Sequence, residues 1–127
     1  MAGEGGRDEP RGGQDVLDQM RREFLDELAE IVNGLDVELD SARNGHRDLA
    51  PVLASIRRAA LGLRGQAANF ALHRLAAVCH RLAEYLAQCP SPPPPRLWGD
   101  LAGYFALLLT LSETGDAAEA DLSRLVR

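Results

Sequence analysis

Apolar residues recur at steps of three and four from Asp15 onward, through Leu17, Met20, Phe24, Leu28, Ile31, Leu35, Leu39 and Ala42. That spacing keeps them on one face of a helix with 3.6 residues per turn, so it predicts one long amphipathic helix. Asn44-Gly45 supplies a left-handed stop, and Asp48 is placed to cap a second helix that tolerates Pro51 in its first turn. The second apolar face is Leu49, Val52, Leu53, Ile56, Ala60 and Leu63, with an end between Gly65 and Asn69. A third runs through Leu72, Leu75, Cys79, Leu82 and Leu86.

The run from Cys89 to Pro95 contains five prolines. Proline lacks the amide donor and clashes with the preceding turn, so the run is a stiff connector that spaces the third helix from a fourth. Leu97, Leu101, Tyr104, Phe105, Leu108 and Leu111 mark that fourth helix, which ends before Gly115. Residues 1–14 carry five glycines and Pro10 without an apolar period, which predicts a flexible tail. At the other end, Asp116 to Arg127 contains Leu122, Leu125 and Val126 and reads either as a short fifth helix or as a loosely held end. Strand alternation is absent, so the expectation is all-α: one domain over 15–127, an antiparallel up-down-up-down four-helix bundle with room for a short C-terminal fifth helix.

Composition narrows the function more than the fold. Apolar residues make up 46% and charged residues 26% of the chain, which suits a globular domain, and the formal net charge of −5 disfavours binding to a phosphate backbone. All 14 basic residues are arginine, which hints at a GC-rich, bacterial coding sequence. The longest aliphatic run, Leu107 to Leu111, is far shorter than the roughly 20 residues a membrane span requires. Two cysteines and the lack of a signal-peptide core point to a reduced, cytoplasmic setting.

No hydrolase triad, phosphate loop or dinucleotide fingerprint occurs, so the expectation is a protein that is not an enzyme and holds no cofactor. A metal site is not expected either, because His73, Cys79 and His80 do not converge from one helix and no pair of Glu-x-x-His motifs is present. Asp26, Glu27, Glu30, Asp36, Glu38 and Asp40 read as a solvated outer face of the first helix.

The informative stretch lies in the second helix: Ala60-Leu61-Gly62-Leu63-Arg64-Gly65-Gln66-Ala67-Ala68-Asn69-Phe70. It resembles the signature of the histidine phosphotransfer domain family, His-x-Leu-Lys-Gly followed by small residues, a turn and a helix with spaced leucines. Leu63 matches the motif leucine, Arg64 the basic residue and Gly65 the glycine, while Leu61 stands at the position of the phosphoacceptor histidine. The resemblance implies an exposed position 61, a basic residue that offsets phosphate charge, a glycine that leaves room, and a partner that is a response-regulator receiver domain or a sensor histidine kinase. Leucine has no nucleophilic lone pair, so the relay step cannot occur there.

The expected docking face is Arg57, Arg58, Leu61, Arg64, Gly65 and Ala68, an aliphatic centre with an arginine rim. Three other readings stay open at this level. Leu61 could belong to the core, with the helix turned by a third of a turn and Gly62 and Gly65 marking close packing. His80 or His73 could act as a displaced phosphoacceptor, or the bundle could be a purely structural or oligomerising one. Monomer and homodimer are equally compatible with the sequence.

Overall fold

The computed structural model describes residues 2–116, with side chains from Gly13 onward. Four helices follow in order, α1 Ala2–Arg43, α2 Leu49–Asn69, α3 His73–Ala87 and α4 Leu97–Thr114. Among the described residues there is no strand, and the chain forms the all-α four-helix bundle that its periodicity predicts. Each helix packs on its neighbours in sequence and α4 closes the ring against α1, with the most extensive pairing between α2 and α3. Aromatic contacts fix the antiparallel sense. Phe24 of α1 stacks on Phe70 at the end of α2 with ring centroids 5.5 Å apart, and the Arg43 guanidinium lies 5.5 Å from the ring of Trp98 at the start of α4.

The core is wholly apolar. Leu28, Ile56, Leu75, Leu82, Leu97, Leu101, Leu108 and Leu111 are fully buried, and among the described residues no buried one is polar. Of the predicted faces, α2 contributes Val52, Ile56, Ala60 and Leu63 as expected, with Ala67 extending the same stripe by one turn. Leu49, Leu53, Leu86 and Tyr104 pack at its margin and are only partly buried.

Two expectations about α1 are corrected. The helix begins at Ala2, ahead of the start at Asp15 that the apolar pattern predicts. Extending an existing helix needs no new nucleus, so weak helix formers can prolong one whose packed part is already fixed. Leu17 and Met20 share the stripe of Phe24 and Leu28 but are 51% and 47% exposed, because their neighbours end near Phe24 and Leu25. Periodicity identifies a face, and burial also needs something opposite it.

The turns are built by recognisable local chemistry. After α1, the His46 amide donates to the Ser41 carbonyl at 2.9 Å and the Gly45 amide to Ala42 at 3.1 Å, with Gly45 at φ +81°. This is a Schellman ending, and only glycine takes its left-handed residue without cost. The α2–α3 turn uses the same pattern, Leu72 to Ala67 at 2.9 Å and Ala71 to Ala68 at 3.0 Å, but places Ala71 at φ +59°. A Cβ is strained there. Asp48 occupies the cap position before α2 without a side-chain cap bond, and the proline segment joins α3 to α4 as a connector, as expected.

Candidate functional site

Helix α2 has two faces of different character. At about 100° per residue, Arg57, Arg58, Leu61, Arg64, Gly65 and Ala68 fall within an arc of roughly 120° that lies opposite the buried Val52, Ile56, Ala60, Leu63 and Ala67. All six are exposed. Leu61 is 40% exposed and is one of few large apolar side chains left on the surface, which excludes the rotated register that would bury it.

The surroundings of Leu61 are low and cationic. A Cβ added to Gly62 or Gly65 would meet nothing within 4 Å, so neither glycine marks close helix packing. Each weakens the helix interior by about 1 kcal/mol relative to alanine, with no packing in return. With Ala68 they leave a shallow surface that another protein can approach. Among the described residues Arg57, Arg58 and Arg64 form no ion pair, whereas Arg21, Arg47, Arg74 and Arg96 each have a carboxylate within 4.0 Å. Three uncompensated guanidinium groups on a chain of net charge −5 make a local basic patch.

Toward its N-terminal end, this face runs into a cavity of about 660 Å³ between α2 and the proline segment, lined by Leu49, Leu53, Arg57, Leu86, Cys89 and Pro92. Sequence reading missed this cavity. Its walls come from the start of α2, the end of α3 and the connector, and of its lining only Arg57 was expected on the docking face.

The remaining candidate chemistry is dispersed. His46, His73 and His80 are exposed, the first in the α1–α2 turn and the others on α3. Among the described residues no three of His, Cys, Asp and Glu lie close enough to hold a metal ion together. Both cysteines are free; Cys79 is fully buried, and burial pushes its thiol up to about 12, so it stays protonated and unreactive at neutral pH. A second polar spot joins α3 to α4, where the Tyr85 hydroxyl donates to Asp100 Oδ2 at 2.5 Å. Burial, and then the hydrogen bond and charge of Asp100, raise the Tyr85 phenol to about 12.

A residue that the sequence did not single out pins the far end of the bundle. Asp116, just beyond α4, accepts hydrogen bonds from the Leu75 amide at 2.8 Å and the Arg74 amide at 3.2 Å, and the Arg74 guanidinium lies 3.8 Å from the same carboxylate. Leu72 at the N-cap of α3 has no side-chain acceptor, so Asp116 caps that helix from 41 residues away. The rest of the predicted fifth helix, residues 117–127, lies outside the described residues.

No helix among the described residues is long and apolar enough to cross a membrane. No curated protein and no solved structure matches the chain. The sequence model of the Hpt domain does match, over residues 19–124, which take in α2, α3, α4 and the packed part of α1. Members of that family are phosphocarriers that interact with histidine kinases and receiver domains in two-component phosphorelays. With the match covering most of its length, and with four helices and no strand among the described residues, the chain belongs to the Hpt domain family.

Proposed function

We propose that this chain is a pseudo-phosphotransfer protein, which docks a receiver domain or a histidine kinase through the outer face of α2 and modulates phosphorelay signalling without carrying phosphate. The observation that supports this reading is Leu61, exposed at the phosphoacceptor position and set among Arg64, Gly65 and Ala68. In a working carrier, a phosphoryl group passes from an aspartyl phosphate to an imidazole nitrogen at this position. Leucine offers only C–H bonds, so no bond to phosphorus can form.

The rest of the docking apparatus is present. Leu61 gives the apolar centre on which a partner helix can pack, Arg64 can pair with acidic groups at a receiver's phosphorylation pocket, and Arg57 and Arg58 lie at the edge of the patch. The arginines raise the rate of encounter with an acidic partner, and Leu61 contributes the desolvated contact that holds it. Such a protein acts by occupancy, holding a receiver or kinase face away from its true carrier. The functional unit is the bundle from Asp15 onward, working in the cytoplasm.

The test is a titration of the purified protein against the receiver and kinase domains of its own genome, followed by calorimetry. Wild type is expected to bind one of them, and Leu61→Glu to bind it at least ~10-fold more weakly, equivalent to about 1.4 kcal/mol. Equal binding by both proteins would remove this face from the interaction.

A further inference from the structure

The exposed stripe of α2 does not stop at Arg57. Ala50 and Ala54 continue it toward the start of the helix, at the same steps of three and four that join Arg57, Leu61 and Arg64, and both are exposed. There the stripe becomes one wall of the cavity of about 660 Å³ whose other walls are the last turn of α3 and the proline segment. Leu49, Leu53 and Leu86 are only partly buried against the core, so their remaining apolar surface lines the cavity. Arg57 is the one charged side chain among the described residues of this lining, and it stands where the cavity meets the face that carries Leu61.

We infer that this cavity is a second subsite of the docking face, filled by an apolar side chain from an amphipathic helix of the receiver or kinase partner, an inference that rests on the reading under Proposed function. The spacing supplies the occupant's pattern. From Leu61 to Ala54 is about 10 Å along α2, two turns at 1.5 Å per residue. A partner helix lying along α2 with one apolar residue on Leu61 therefore brings the residue seven positions further along its own chain over the cavity. The position halfway between them meets Arg57, where an acidic side chain is the complement of a guanidinium that forms no ion pair among the described residues.

The walls suit such a guest. Ala50 and Ala54 are small and exposed, so a helix can approach α2 closely over them. Proline rings on the connector side are held by their own covalent geometry, which lowers the entropy lost when a side chain is gripped there. The last described residue, Asp116, is held on the first turn of α3, about 20 Å along that helix from the cavity at its last turn.

The test is calorimetric titration of wild type, Leu61→Glu, Ala54→Glu, Pro90→Asp and Arg57→Gln against the receiver and kinase domains of the same genome. Ala54 and Pro90 are exposed and line the cavity from α2 and from the connector, and circular dichroism verifies that each variant keeps its helices. Ala54→Glu and Pro90→Asp should each bind the domain that wild type selects at least ~10-fold more weakly, and Arg57→Gln should lower both the affinity and its fall with rising salt. Wild-type affinity in Ala54→Glu or in Pro90→Asp, with Leu61→Glu still impaired, would overturn this inference and leave the docking face standing. Failure of wild type to bind any of these domains would remove both. A wild-type mass that doubles with concentration and is restored to that of a monomer by Ala54→Glu would give the cavity to a second copy, and would also overturn the inference.

Discussion

The two faces of α2 are made from the same helix and the same stretch of sequence, yet they carry different obligations. Val52, Ile56, Ala60, Leu63 and Ala67 look inward and are buried in the core, so their identity is fixed by volume and apolarity. Arg57, Leu61, Arg64 and Ala68 look outward, and nothing among the described residues depends on them for packing. A histidine at position 61 can therefore be exchanged for leucine without disturbing the fold. On the proposed reading, the chemistry of position 61 can change while the inward face, and with it the fold, stays as it is.

The sharpest way to break the comparison is on the inward side. Ile56→Ala deletes a fully buried side chain and should cost about 2–5 kcal/mol in chemical denaturation, with the spread set by how far the core relaxes. Next comes the cap that reaches across the bundle end. Asp116→Ala leaves two amides of α3 without their acceptor and should cost about 1–2 kcal/mol, whereas Asp116→Asn, which keeps an acceptor oxygen, should lose less. Ala71→Gly works in the opposite direction, relieving the left-handed residue of the α2–α3 turn and stabilising the protein by roughly 0.5–1 kcal/mol in the same measurement.

The smallest effect on stability is expected at the outward face itself. Leu61→Ala should fall within about 0.5 kcal/mol of wild type, because a 40% exposed side chain gives up little buried area. A loss comparable to that of Ile56→Ala would mean that Leu61 belongs to the core, and the contrast between the faces would collapse.

The sequence made the helices legible because each buried stripe keeps its three-and-four spacing over several turns, and glycine or proline marks each break. The Leu63-Arg64-Gly65 run is what nominates Leu61 for the phosphoacceptor position, and the structure shows that residue exposed on α2. The start of the packed part of α1 was misread: Leu17 and Met20 obey the periodicity of the core, and only the lengths of α2 and α4 reveal that nothing described lies opposite them. Asp116 was invisible for a different reason. A local cap is read from its own helix, whereas this one serves amides that lie 41 and 42 residues earlier in the chain. The cavity beside Arg57 likewise depends on how the proline segment folds back toward α2, which no spacing rule specifies.

The most direct test of the proposed loss of the relay step is exposure of the purified protein to a phosphorylated cognate receiver, with acid-labile phosphate measured on wild type, His73→Gln and His80→Gln. Wild type should bind the receiver and acquire no phosphate, because position 61 has no atom that can accept it. Acid-labile phosphate on wild type that disappears in either histidine variant would contradict this, and would show that the relay has moved to α3 instead of being lost.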